Sequence, residues 1–115
     1  MDRMEALYVV EFGDVVGFGY RNGGVAVLET NRIYGGDSGY YYLGTFTIRG
    51  DRIEANVKVV KHNPNWNNVF GDGAASFGLV MCGIIGDGII EGFMERIDKR
   101  GPRLPIRMIR KEILP

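Results

Sequence analysis

From Tyr40 to Val59 the chain keeps an unbroken two-residue period through two strand lengths joined at Gly50-Asp51. Tyr40, Tyr42, Gly44, Phe46 and Ile48 fall on one face, and Ile53, Ala55, Val57 and Val59 match them across the turn, while Glu54, Asn56 and Lys58 alternate outwards. Side chains of a strand point to opposite faces in turn, so this spacing predicts an antiparallel hairpin with one apolar and one solvated side. A helix would need apolar residues three and four apart, and no window sustains that period. Residues 63–70 accommodate one short helical turn at most.

Strand-length runs of the same kind recur along the chain with Gly, Asn or Asp between them, the pattern of a sandwich or barrel. Eight are predicted: 5–12, 15–21, 24–30, 40–49, 52–61, 76–85, 88–97 and 104–111. Gly13-Asp14, Asn22-Gly23, Gly50-Asp51 and Gly86-Asp87 read as tight turns, because Gly and Asn tolerate positive φ. Residues 31–39, 62–75 and 98–103 read as loops. Eight consecutive up-and-down strands bury one face of each, and lose their exposed edges, by closing on themselves. The expected fold is therefore all-β, an eight-stranded antiparallel up-and-down barrel. Gly17, Gly19, Gly44, Gly78, Gly83 and Gly92 fall inside strands, where coiling and bulges at barrel corners would account for them.

At 115 residues the chain forms one domain, 1–115, with a core that needs no staples. Fourteen basic residues balance fourteen acidic ones, so no overall field draws in nucleic acid. The basic residues near the C-terminus (Lys99, Arg100, Arg103, Arg107, Arg110, Lys111) alternate with apolar ones and lack interleaved aromatics, which reads as a solvated strand face. The single cysteine, Cys82, excludes an internal disulfide and fits a reducing compartment. With acidic residues at the N-terminus and no run of roughly 18 apolar residues, neither a secretory signal nor a membrane-spanning helix is expected. The expected location is cytoplasmic.

Reactive chemistry finds little support. His62 stands alone, and a zinc site needs several nitrogen or sulfur ligands. Cys82 lies in an apolar strand and is expected to be a buried small hydrophobe rather than an activated nucleophile. Asp37, Asp51, Asp72 and Asp87 each adjoin a glycine, as expected of turn residues that bond local backbone. Gly83, Gly86 and Gly88 precede no helix, so they form no phosphate cradle. Arg49-Gly50-Asp51 reads as a tight turn. Glu91 and Glu95 share a strand face with Ile89, Phe93 and Ile97; the uncharged set Ile90, Gly92 and Met94 is the one expected inside. No enzyme activity, cofactor or metal is expected.

The loop after residue 62 carries the one tryptophan, Trp66, with Phe70 four residues on. Two large aromatics in such a loop either plug the barrel mouth or line a ligand cavity or partner surface. The interior is expected to be lined by Tyr42, Phe46, Ile48, Val57, Val59, Leu79, Met81, Leu104, Ile106 and Met108, with Trp66 and Phe70 at the mouth. An eight-stranded barrel is either filled by such side chains or holds one small ligand.

The segment Gly24-Val-Ala-Val-Leu-Glu29, followed by Arg32-Ile-Tyr-Gly35-Gly36-Asp37-Ser38-Gly-Tyr40-Tyr-Tyr42-x-Gly44, resembles the GrlR family of bacterial type III secretion regulators. The likeness continues through Gly50-Asp51-Arg52-Ile53 and Asn68-Val-Phe70-Gly-Asp72, and covers most of the chain. It implies a lipocalin-like eight-stranded barrel, a homodimer, an apolar internal cavity and no enzymatic activity. It also implies negative regulation of transcription through binding of an activator protein, which in the named repressor engages an acidic run in the hairpin between the middle strands. Here that hairpin reads Thr47-Ile48-Arg49-Gly50-Asp51-Arg52-Ile53, one acid flanked by two arginines. The expected function is thus a non-enzymatic regulatory protein working through protein–protein contacts as a homodimer. The alternative is a binder or sensor of a small apolar ligand.

Overall fold

The computed structural model describes residues 4–13, 20, 22–71, 73–98 and 101–115. Its eight strands are β1 (Ala6–Phe12), β2 (Asn22–Glu29), β3 (Arg32–Gly36), β4 (Tyr40–Arg49), β5 (Arg52–Lys61), β6 (Ser76–Ile85), β7 (Ile89–Arg96) and β8 (Leu104–Ile113). Each pairs antiparallel with the next, and β8 pairs back onto β1 from Phe12↔Ile106 to Ala6↔Ile113, giving a closed up-and-down barrel. No helix occurs among the described residues.

The β4–β5 register follows the sequence period, with Tyr42↔Val59, Gly44↔Val57, Phe46↔Ala55 and Ile48↔Ile53 as partners. Ile90 and Met94 point inward and are buried, while Glu91 and Glu95 are exposed, as the uncharged alternative required.

One strand assignment cannot be compared and one strand is new. The predicted strand 15–21 lies outside the described residues except for Tyr20, which is in a bend. β3 runs through Arg32–Gly36, inside the segment expected to be a loop. Asn22-Gly23 is not a turn; both residues belong to β2, opposite Phe12 and Glu11. The β2–β3 reversal falls instead at Thr30 and Asn31, which have φ of 49° and 66°. A β-branched residue is unfavourable at positive φ. Here the Glu5 carboxylate holds the turn, accepting from the Thr30 amide at 2.9 Å and its hydroxyl at 3.3 Å.

Bulges do not account for the described intrastrand glycines. The register shift among the described pairings lies between Leu7 and Tyr8 against β8, away from Gly44, Gly78, Gly83 and Gly92. Gly92 is explained by close approach: a Cβ there would lie 1.9 Å from the Cys82 carbonyl oxygen and 2.5 Å from the Gly83 Cα. Gly17 and Gly19 lie outside the described residues.

The up-and-down connectivity gives the barrel two unlike ends. The reversals β2–β3, β4–β5 and β6–β7, none longer than three residues, gather at one end; the three-residue β3–β4 turn and the longer β5–β6 and β7–β8 connections lie at the other. The tight-turn end is solid. Tyr8, Leu28, Ile53 and Ile90 are essentially inaccessible there, and the Tyr8 hydroxyl donates to the Met4 carbonyl oxygen at 3.1 Å. The loop end is where the space is.

Candidate functional site

A cavity of about 190 Å³ enters the barrel from the loop end. Its walls follow from strand alternation: Val10 and Phe12 on β1, Tyr40 and Tyr42 on β4, Val57 and Val59 on β5, Phe77, Leu79 and Met81 on β6, Met94 on β7, and Ile106 and Met108 on β8. Nine of the twelve residues expected along the interior and at its mouth lie on it: Tyr42, Val57, Val59, Trp66, Phe70, Leu79, Met81, Ile106 and Met108. Phe46 and Ile48 do not. Phe46 is buried one strand step nearer the solid end, and Ile48 is the last inward position before the β4–β5 turn, where solvent reaches 37 % of it. Leu104 is buried, but off the cavity. Ile33, on the strand read as loop, was missed and lines the wall.

The mouth is built by two connections bonded to each other. Asp37 closes the β3–β4 turn: its Oδ1 accepts from the Gly39 and Tyr40 amides, both at 2.8 Å, and its own amide donates to the Tyr40 carbonyl at 2.9 Å. The β5–β6 loop is tied onto that turn. The amides of His62 and Asn63 donate to the Gly39 carbonyl oxygen at 2.9 and 3.2 Å. The His62 Nε2 lies 2.9 Å from the Asp37 carbonyl oxygen. A carbonyl only accepts, so Nε2 carries the proton; this lone histidine is a structural strut. Farther along, the Asn68 side-chain oxygen accepts from the Phe70 amide at 2.8 Å, holding Phe70 edge-on to Phe77 with centroids 5.9 Å apart.

Trp66 is seated by a glycine. The Gly39 backbone is buried beneath the indole, and a Cβ on Gly39 would come within 2.4 Å of Trp66 Cδ1. The indole keeps 45 % of its surface exposed, so it forms a partial cover on the mouth rather than a sealed plug. Gly39→Ala is accordingly expected to push the indole off the turn, lowering stability by about 1–2 kcal/mol and red-shifting tryptophan emission. Chemical denaturation followed by fluorescence measures both.

Arg96, inward-facing on β7 beyond Met94 though off the cavity lining, was not among the expected interior residues. Its side chain is 3 % exposed and its guanidinium lies 4.4 Å from the Phe77 ring centroid. Two bonds to Asp98, at 2.9 and 2.6 Å, neutralise it. The signal was available in the alternation Ile90, Gly92, Met94, Arg96, which stopped short by one residue in the sequence reading.

One polar pair sits on the apolar wall. The Tyr42 hydroxyl, which faces the interior, donates to Asp37 Oδ2. Burial, reinforced by that hydrogen bond and the carboxylate charge, pushes the Tyr42 phenol well above its ordinary value, so the phenol stays a hydrogen-bond donor. Asp37 is the only acidic or basic side chain on the described cavity lining.

Cys82 is a correction. It is exposed on the outer face of β6, opposite Glu54 and Phe93, because Met81 takes the inward position. Burial, with the nearby Glu54 carboxylate, pushes its thiol up and away from the reactive thiolate. Among the described residues no group of three or more His, Cys, Asp or Glu side chains is placed to hold a metal. No helix of the described chain is long and apolar enough to cross a membrane. No protein-family model matches the chain, and a search of curated proteins finds no match either.

Proposed function

We propose that this chain is a cytoplasmic, non-enzymatic regulatory protein of the GrlR type that works through protein–protein contacts as a homodimer. The observation that carries the reading is an apolar patch on the outside of β2–β4. Val25, Tyr34, Tyr41 and Leu43 are 38–49 % exposed there. Strand register makes them neighbours, in the rows Val25–Gly36–Tyr41 and Val27–Tyr34–Leu43. Adjacent large apolar side chains left open on a barrel exterior support a contact surface. The patch also suits a two-fold partner. An axis along the strands between β2 and β3 would set Glu29 of each copy over Arg32 of the other, since the two are register partners at one end of the patch. The β4–β5 hairpin, with Arg49 and Arg52 beside Asp51, lacks an acidic run, so an activator would have to be engaged elsewhere.

Sedimentation equilibrium tests this. The native chain is expected at twice its 12.8 kDa mass, and Tyr34→Glu with Leu43→Glu at the monomer mass. A native chain monomeric at all concentrations would overturn the dimer. Pull-down from native cytosol should return a defined second protein; recovery of the chain alone would count against regulation.

The second reading, a carrier or sensor of a small apolar molecule, is favoured by the cavity. At about 190 Å³ it is smaller than the ~300–1,000 Å³ of drug-sized sites, yet larger than the ~150 Å³ apolar cavity known to take benzene. That limits the occupant to about one ring or a short chain.

A further inference from the structure

We propose that the barrel cavity takes a small organic cation, its ammonium head held at the mouth by Asp37 and its apolar body, about one ring in size, in the barrel below. This rests on the reading of the barrel as a ligand binder and adds the chemical class of the ligand.

The cavity is apolar except at its mouth, where the remaining polar lining is hydroxyl and amide. Asp37 is therefore the one full charge facing the space among the described lining residues. Its position is fixed: two backbone amides and the Tyr42 phenol all donate to it. Neutral donors orient a carboxylate without cancelling its charge, and the Tyr42 phenol retains its proton. Among the described residues, the cations of the loop end are engaged elsewhere. Arg96 is bonded twice to Asp98, and the Lys61 ammonium donates to the Gly73 carbonyl at 3.2 Å. His62 gives its ring N–H to the Asp37 backbone rather than to the carboxylate.

A negative charge beside a low-dielectric space favours a cation over a neutral isostere and rejects an anion. The aromatic surroundings act in the same direction. Tyr40 and Tyr42 follow Asp37 on the next strand, and Trp66 lies against Gly39, two residues away. The π-faces of tyrosine and tryptophan attract ammonium groups. The cavity volume bounds the rest of the molecule to a single ring.

Calorimetric titration of the full chain at pH 7 with three probes of one shape tests this: phenethylamine, 2-phenylethanol and phenylacetate. The expected order is amine, then alcohol, then acid, with the amine about tenfold tighter than the alcohol, because the ammonium brings a full opposite charge to the Asp37 carboxylate where the alcohol brings only a dipole. Asp37→Asn keeps an oxygen for the Gly39 and Tyr40 amides while removing the charge. It is expected to abolish the preference for the amine over the alcohol. If the alcohol or the acid binds the native chain as tightly as the amine, the head-group assignment falls and the cavity reading stands. If none of the three binds at millimolar concentration, both fall. Should Asp37→Asn fail to fold, the order of the three probes on the native chain decides.

Discussion

Tyr8→Ala should cost about 3–5 kcal/mol of stability, the range for deleting a large aromatic from a packed core. Tyr8 is 1 % exposed at the solid end of the barrel. Its hydroxyl is bonded to the Met4 carbonyl oxygen, and it packs in the same core as Leu28, Ile53 and Ile90. Rigid strands on both sides, β2 and β8, prevent the wall from collapsing into the void. A domain of this size has roughly 5–15 kcal/mol in total, so the variant should be close to unfolding at body temperature. Urea denaturation measures it. A loss under about 1 kcal/mol would mean that the tight-turn end is not the packed half of the barrel.

Gly92→Ala is expected to be nearly as damaging, about 3 kcal/mol, for a backbone reason rather than a packing one. The added Cβ meets the Cys82 carbonyl oxygen at 1.9 Å and the Gly83 Cα at 2.5 Å, main-chain atoms of the paired strand that cannot swing aside. β6 and β7 must part, weakening their ladder. Gly101→Ala, with no atom within 4 Å of the new Cβ, is the control and should stay within about 0.5 kcal/mol of the native chain. Equal effects at the two glycines would contradict the close approach of β6 and β7.

Much of the barrel was legible because one face of every strand is buried, and burial of one face imposes a two-residue period. That rule placed β4, β5, β6 and β8 within two residues of their observed ends and chose Ile90 and Met94 over Glu91 and Glu95. It failed at β3, where Arg32–Gly36 offers Ile33 as its one buried large side chain and ends in two glycines. Strand pairing on both sides, not local pattern, makes that segment a strand. Asn22-Gly23 misled for the converse reason. Turn chemistry permits a reversal but does not compel one, and the reversal went to Thr30-Asn31 with help from Glu5, distant in sequence.

The candidate site was legible in its walls and not in its depth. Alternation says that Phe46 and Ile48 face inward, yet not that the barrel is filled at their level and hollow above Val57. That depends on where Tyr8, Leu28 and Ile53 converge, a property of the closed cylinder. Asp37 was recognised as a turn residue, which it is. Its second role on the cavity wall depends on Tyr42 arriving from the neighbouring strand.

The central claim is a barrel solid at its tight-turn end and open inside at its loop end. Diffraction from a crystal held under xenon pressure tests it most directly, because xenon settles in dry apolar voids. The claim predicts a xenon peak bounded by Val57, Leu79, Met81 and Met108, beneath Trp66 and Phe70. Continuous side-chain density through that volume, with no xenon bound there, would contradict it.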